Sequence, residues 1–236
     1  MEKFIEKVKN AARNTYETAK SKIVEWKNNI QKKYNKWKER LSNYLIKQGY
    51  KIGVSICNPQ YTPNPVDENL RQKCQKLIDE DFPMGLVNRL EPMSDEDRYE
   101  FMKDTVMKAS GVMQVYVSEI KFFYPSNELE MGLFGVYDRE TDIVYLNAYY
   151  ISELDQPERT EHLLKTIFHE LKHARQAAAI FDNKNYGYSN ELLLEWALNF
   201  KYYIDAIDNY EAYKKQPIEV DAANWANLLD THAVSL

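Results

Sequence analysis

The sequence predicts an α+β domain that is preceded by a long helical arm. Two observations lead to this class. From residue 66 onward the apolar spacing is first helical, then typical of strands near residues 112–150, then helical again, an order that favours α+β over a parallel doubly wound sheet. Residues 1–48 contain 13 Lys+Arg and 5 Asp+Glu, a net charge of +8, whereas the remaining residues contain 18 and 31, a net charge of −13. We therefore predict a basic helical arm at residues 1–48, a linker at 49–65 and an acidic domain at 66–236.

Composition narrows the class of protein further. The hydrophobic content of 44% is enough for a packed core. No stretch has the roughly 18 consecutive apolar residues of a membrane span, and the start "MEKFIEKVKNAARN" lacks the apolar run of a secretory signal. Cys57 and Cys74 form no CxxC pair, which favours a reducing compartment. We expect a cytoplasmic protein as synthesised, and export by a route that needs no signal peptide remains open.

The basic arm has the pattern of one continuous helix. It contains no Gly or Pro before Gly49, and its apolar or small residues recur with a 4-4-3 spacing. Eleven residues in three turns keep such a stripe on one face of a nearly straight helix about 70 Å long. The stripe consists of Phe4, Val8, Ala12, Thr15, Ala19, Ile23, Trp26, Ile30, Tyr34, Trp37, Leu41 and Leu45. A helix cannot cover this stripe by itself, so another surface must.

Three interpretations of the arm stay open. It is a structural helix that packs on the domain or, as a coiled coil, on a second copy. It is a docking or delivery arm for a helical partner or a secretion apparatus. It is a helix at a membrane surface, with lysines beside an apolar face that carries Trp26 and Trp37. No nucleic acid partner is expected, because the lysines alternate with apolar residues and no DNA-binding pattern occurs. The Gly and Pro residues of "QGYKIGVSICNPQYTPNP" then predict the linker.

The first half of the domain is predicted to contain two helices and three strands. "VDENLRQKCQKLIDED" predicts a helix that ends before Pro83, and Ser94 with Asp97 predicts a capped helix that continues to Gly111. "VMQVYVSEIKFFYP", "ELEMGLFGVYD" and "DIVYLNAYY" are rich in β-branched and aromatic residues and predict three strands joined by hairpins, with "DRETD" as a turn. The resulting sheet would be small and antiparallel or mixed.

The second half of the domain is predicted to be helical. Pro157 opens a helix that extends to about residue 181, "DNKNYGYSN" predicts a loop, residues 190–213 predict one helix, and Pro217 opens a last helix, "PIEVDAANWANLLD".

The segment "TIFHELKHARQ" at residues 166–176 contains the residues that predict a catalytic metal site. On a helix, His169 and His173 face the same side one turn apart and can bind one metal ion. Zinc held by three protein ligands keeps a water and lowers the pKa of that water from ~15.7 towards ~7. Glu170 would act as general base and pass the proton to a leaving amine. The competing interpretation is a surface helix with two solvated histidines. His162 is too far along the helix to join the site, and His232 is interpreted as a tail residue.

The third ligand must come from further along the chain. Glu191, Glu195 and Glu219 are the candidates, and we favour Glu219 over Glu195. Glu219 lies in the first turn of the helix opened by Pro217, where the small residues at positions 222, 223 and 226 allow close approach to the histidine-bearing helix. Asp221 could orient a ligand histidine, although a surface charge is the simpler interpretation.

The order "GLFGVYDRETDIVYLN", "HELKHARQ" and "PIEVDAANWA" resembles the small bacterial and phage-associated zincin metallopeptidases of the gluzincin kind, including the ImmA/IrrE-type proteins. The resemblance spans roughly residues 130–230. It implies a zincin-like metallopeptidase domain with His169, His173 and Glu219 as zinc ligands and Glu170 as catalytic base. It also implies a strand along the rim of the site, either 142–147 or 131–137.

The expected function is that of a zinc metallopeptidase acting on a peptide or protein substrate, which would bind to the rim strand. Tyr186 and Tyr188 are candidates for an assisting tyrosine, although any of the 18 tyrosines is more often a packing residue. Two alternatives stay open. One is a toxin or effector whose arm mediates loading, docking or membrane contact of the peptidase. The other is a non-catalytic interaction protein stabilised by metal, for which Glu170 would have no use as a base.

Overall fold

The computed structural model describes residues 64–126, 128–204, 206 and 209–231. The predicted arm at residues 1–48, almost all of the predicted linker and His232 lie outside these residues. Over the described part of the chain the predicted α+β class is confirmed, with helices before and after a small mixed sheet.

The described helices and strands follow one another in this order: α1 Pro65–Asp81, α2 Gly85–Leu90, α3 Asp95–Met113, β1 Glu119–Phe123, α4 Glu128–Met131, β2 Gly135–Asp138, β3 Ile143–Asn147, α5 Tyr149–Ser152, α6 Pro157–Phe181, α7 Asn190–Lys201, α8 Tyr210–Tyr213 and α9 Pro217–Asn227.

The helix start predicted at Ser94 is confirmed, and a cap that was not predicted begins α1 at Asn64, within the predicted linker. Asn64 caps α1 by accepting a hydrogen bond from Val66 N at 2.9 Å, and Pro65 fills the first helical position. Ser94 caps α3, accepting from Asp97 N, and the Ser94 hydroxyl pairs with the Asp97 carboxylate at 2.7 Å.

The sheet has the strand order β1-β3-β2. β2 and β3 form the predicted antiparallel hairpin, whereas β1 pairs with β3 in parallel and is therefore not part of a hairpin. β3 is the central strand and pairs on both sides, so it has no free edge. The prediction that 142–147 is the rim strand is therefore wrong. β2, which lies in the alternative range 131–137 and extends to Asp138, is an edge strand of the sheet that the described residues form.

The sequence overstated the length of two other elements. The strand predicted from residue 112 is limited to β1, because α3 continues to Met113. The helix predicted over 190–213 ends at Lys201, and the short helix α8 begins at Tyr210. The helices α2, α4 and α5 were not predicted.

α6 lies at the centre of the domain. It packs against α3, α7, α9 and strand β2, and its apolar face contributes Leu163, Leu164, Ile167, Phe168 and Leu171 to one core with residues of α1, α3 and β3. At its start, the buried Glu161 carboxylate accepts hydrogen bonds from Leu86 N and Val87 N of α2. The same central helix carries the HELKH segment.

Across the described residues, none of the helices combines the length and the apolar character that a bilayer crossing requires.

Candidate metal centre

The structure places His169 and His173 on one face of α6 and brings Glu219 of α9 opposite them. α9 approaches closely because two of its small residues, Ala222 and Ala226, are buried in the contact region. Glu219 is 4% exposed, and a carboxylate so deeply buried requires charged or hydrogen-bonding partners. In the described part of the chain, these three residues form the one group of His, Cys, Asp or Glu side chains close enough together to hold a metal ion.

The three ligand atoms form a triangle of the size that zinc requires. The two histidine Nε2 atoms are 3.0 Å apart, and Glu219 Oε2 lies 3.5 Å from His169 Nε2 and 3.4 Å from His173 Nε2. The centre of this triangle is about 1.9 Å from each corner, close to zinc's usual ~2.0–2.1 Å from nitrogen and oxygen. The donor set and its size therefore fit zinc, which these three residues would hold.

The Gln176 amide determines which nitrogen of His173 is available to a metal. Gln176 Nε2 donates to Ile218 O at 3.1 Å and to Asp221 Oδ2 at 2.7 Å, so the amide oxygen must face His173. That oxygen lies 2.9 Å from His173 Nδ1, and because it can only accept, Nδ1 carries the proton. The lone pair of the neutral ring is then on Nε2, which faces Glu219. Asp221 is thus linked through Gln176 to His173, a candidate metal ligand.

Glu219 and the histidines change one another's protonation. Burial disfavours a charged His173 ring, but the Glu219 carboxylate at hydrogen-bonding range, together with Glu170 and Gln176, raises the pKa of His173 to about 9. Burial also disfavours a charged Glu219, yet His173 and His169 hold the pKa of this carboxyl well below its usual range. Glu219 is thus anionic at any physiological pH, as a metal ligand must be.

Strand β2 fixes the side chain of Glu170. The Glu170 carboxylate accepts a hydrogen bond from Tyr137 N at 2.8 Å through Oε2. Phe134 O accepts from Asn147 N of β3, so by antiparallel alternation the backbone groups of Gly135 and Tyr137 point to the open side of β2. The carboxylate is therefore attached to the side of β2 that pairs with no other described strand, beside the three candidate metal ligands.

Two tyrosines at the centre were missed by the sequence reasoning. Tyr203 donates its hydroxyl to Glu219 Oε1 at 2.7 Å, which leaves Oε2 directed at the histidines. Burial and the Glu219 charge raise the pKa values of both Tyr203 and Tyr213, so both hydroxyls stay protonated. Helix periodicity had placed Tyr203 inside the predicted helix 190–213, and no short-range signal in the sequence marked it.

The backbone around Tyr203 is held by one buried glutamine. Gln216 is 2% exposed; its amide accepts from Ile204 N at 2.8 Å and donates to Ile204 O at 2.8 Å. Asn199, at the end of α7, also bonds Gln216 and accepts from Ile218 N. The segment that carries Tyr203 is therefore attached to the start of α9, two residues from Glu219.

The other candidates lie elsewhere. Glu191 and Glu195 are exposed on α7 and do not belong to the group of metal-ligating side chains. Tyr186 stacks its ring on the Arg175 guanidinium and donates to Gln114 O. Tyr188 is buried and donates to Asp67 Oδ1. It is therefore a packing residue, which is the more common role of a tyrosine.

His162 also lies outside the group, as predicted from helix rise. Its ring packs edge-on against Phe134 at a centroid distance of 4.7 Å. Burial, together with the charges of Lys165 and His169, lowers the pKa of His162.

No protein-family model, no curated protein and no solved structure matches this chain significantly. What the centre does is therefore inferred from its own residues.

Proposed function

We propose that this protein is a zinc-dependent peptidase of zincin-like fold, with His169, His173 and Glu219 as zinc ligands and Glu170 as general base. One observation carries the proposal: two histidines of one helix and a buried carboxylate of another converge within 3.5 Å, while the glutamate next to the first histidine is attached to an open strand edge. A purely structural metal site needs the three ligands but has no use for the Glu170 carboxylate.

Zinc bound to these ligands would activate a water and polarise the substrate carbonyl. Glu170, anchored through Oε2 by Tyr137 N, keeps its other oxygen for the proton of the attacking water and then passes this proton to the leaving amine. Tyr137 N is already bonded to Glu170, so the remaining outward backbone groups of β2, which are those of Gly135 and the carbonyl of Tyr137, would receive the peptide as an added strand. Together these groups favour hydrolysis of an extended peptide over other uses of a zinc-bound water.

The test separates metal binding from catalysis. Glu170→Gln keeps an oxygen that can accept from Tyr137 N, so the variant should retain one zinc per chain while cleavage of an unfolded protein substrate falls by at least ~100-fold. Glu219→Gln should lose zinc and activity together. Glu195→Gln, the matched control on an exposed residue, should lose neither. The measurements are the metal content after dialysis and the rate of release of labelled peptides.

A different result would overturn the proposal. Unchanged cleavage by Glu170→Gln would exclude this residue as the base. Stoichiometric zinc in the wild type with no cleavage of any peptide would favour the metal-stabilised interaction protein instead.

A further inference from the structure

We infer that Tyr203, Tyr210 and Tyr213 form a substrate-binding subsite next to the metal centre, and that it takes an aromatic side chain of the peptide close to the bond that is cleaved. This inference rests on the proposed function and adds the chemical class of the substrate to it.

The three rings form one connected surface. Tyr203 and Tyr213 meet edge to face with centroids 6.1 Å apart, and Tyr213 and Tyr210 are stacked at 6.2 Å. Tyr213 is half-buried between the other two, whereas the Tyr203 and Tyr210 side chains are 44% and 62% exposed. Exposed rings in contact with one another present more apolar area than isolated surface tyrosines do.

This surface begins at the metal ligand. The Tyr203 hydroxyl is bonded to Glu219 Oε1 at 2.7 Å, so its polar tip is directed towards the metal centre while the flank of its ring faces solvent. Glu170 lies close enough to influence the hydroxyls of Tyr203 and Tyr213 electrostatically. A substrate whose scissile bond lies at Glu170 would therefore have a neighbouring side chain within reach of the tyrosine rings.

Charge at the surface favours an uncharged occupant. Lys214 lies over the Tyr210 ring at 5.4 Å, but its ammonium group is paired with Glu211 at 2.6 Å. The pair leaves no net charge to select an acidic or basic side chain. Aromatic rings instead gain from edge-to-face or offset stacking on tyrosine in addition to the area that they bury.

The experiment measures binding, so that it does not depend on turnover. The full-length, zinc-loaded protein is titrated with two peptide hydroxamates that share the zinc-binding group and differ only in carrying a phenylalanine or an alanine side chain. The wild type should bind the phenylalanine compound about tenfold more tightly. Tyr210→Ala should reduce this ratio to about twofold, with the affinity for the alanine compound and the zinc content unchanged.

Two controls accompany this variant. Tyr210→Phe keeps the ring and should keep the tenfold ratio. Tyr116→Ala removes a tyrosine that is equally exposed, at 65%, and lies outside the tyrosine cluster; it should also keep the ratio.

The outcomes distinguish the two proposals. Equal affinities for both hydroxamates in the wild type, or an undiminished ratio in Tyr210→Ala, would overturn the subsite while leaving the zinc peptidase intact. Failure of the zinc-loaded protein to bind either compound would mean that no coordination position of the zinc is accessible, which would overturn the proposed peptidase and the subsite with it.

Discussion

At the residue scale, the orientation of the Gln176 amide controls the metal centre. The sequence shows that residue 176 lies on the same face of α6 as His173, three positions further along. It does not show which way the amide points, because that depends on Ile218 and Asp221 of α9. The proximity of His169 and His173 was predictable from local spacing, and that of Glu219 from its position in a helix with small residues. Their role as metal ligands and that of Glu170 as general base stay predictions. The groups that set their chemical state come from distant parts of the chain.

The protonation of His173 is testable in the metal-free protein. Since Glu219 raises the pKa of His173 to about 9, the ring should be charged at pH 7.5 and should titrate near pH 9. His162 serves as the internal control, since its pKa is lowered and its ring should titrate below the ordinary ~6.5. Nuclear magnetic resonance of the ring nitrogens, followed from pH 5 to 10, measures both values in one sample.

The raised pKa has a consequence for metal binding. Zinc takes only the neutral ring, so below pH 9 binding must displace the His173 proton, and the apparent zinc affinity should rise as the pH rises towards 9. A His173 ring that titrates with His162 near or below pH 6.5 would contradict the close pairing with Glu219.

At the element scale, the strength of the local pattern decided how well each element was predicted. α6 begins at the predicted Pro157 and ends at the predicted residue 181, because a proline start and an uninterrupted apolar face act together. α7 was predicted too long, since apolar residues continue at helical spacing beyond Lys201. The buried Gln216 amide bonds both backbone groups of Ile204 and holds that segment out of the helix. α2 was missed because Glu161, 75 positions away, caps its start.

The position of β2 against α6 depends on Gly135. A Cβ atom at this residue would lie 2.9 Å from Tyr145 O and 3.0 Å from Thr166 Cγ2, closer than packed atoms allow. Gly135→Ala should therefore push β2 outward, lengthen the hydrogen bond from Tyr137 N to Glu170 and destabilise the fold by about 1–3 kcal/mol. Cleavage should fall more than zinc content does, because the ligands on α6 and α9 do not depend on β2.

Gly111→Ala provides the matched control for this substitution. Gly111 lies in α3, and apart from the neighbouring helix backbone no atom of the described residues lies within 4 Å of a Cβ placed there. Alanine should therefore be neutral or stabilise the helix by about 0.5–1 kcal/mol. Unfolding in denaturant and zinc content measured on both variants check the prediction. If Gly135→Ala proved as stable and as active as Gly111→Ala, β2 would not be held at the distance described.

At the scale of the whole domain, a buried group of charges joins three helices behind the metal centre. Lys172 of α6 is fully buried, and its ammonium group lies 2.9 Å from Asp67 Oδ1 of α1 and 3.3 Å from Asp221 Oδ2 of α9. Asp221 in turn bonds Gln176, the partner of His173. The first turn of α1 is thus linked to a metal ligand by consecutive polar contacts, which no local pattern in the sequence could have shown.

Removing Lys172 should destabilise the whole domain. Lys172→Met leaves Asp67 and Asp221 without their buried cation and should lower the free energy of unfolding by about 3–5 kcal/mol. The control Lys76→Met breaks only an exposed pair with Glu80 and should lower it by less than about 1 kcal/mol. Burial opposes the charge on Lys172, but Asp221, Tyr188 and Asp67 raise its pKa above the ordinary value. The stabilisation that the charged Lys172 provides is therefore fully present below the pKa of ~10.4 that lysine has in the unfolded chain. It is lost only as the pH rises through the higher pKa of Lys172 in the folded protein.

Denaturant unfolding at pH 6, 7.5 and 9 measures the difference in free energy of unfolding between wild type and Lys172→Met. This difference should be the same at all three pH values. The double variant Lys172→Met with Asp67→Asn should recover part of the loss, because only one carboxylate of the group, Asp221, is then left without its buried cation. A difference that shrinks between pH 6 and 9 would mean that Lys172 loses its proton in that range. The three helices would then be joined by apolar packing, and the polar connection to His173 would contribute little to the stability of the domain.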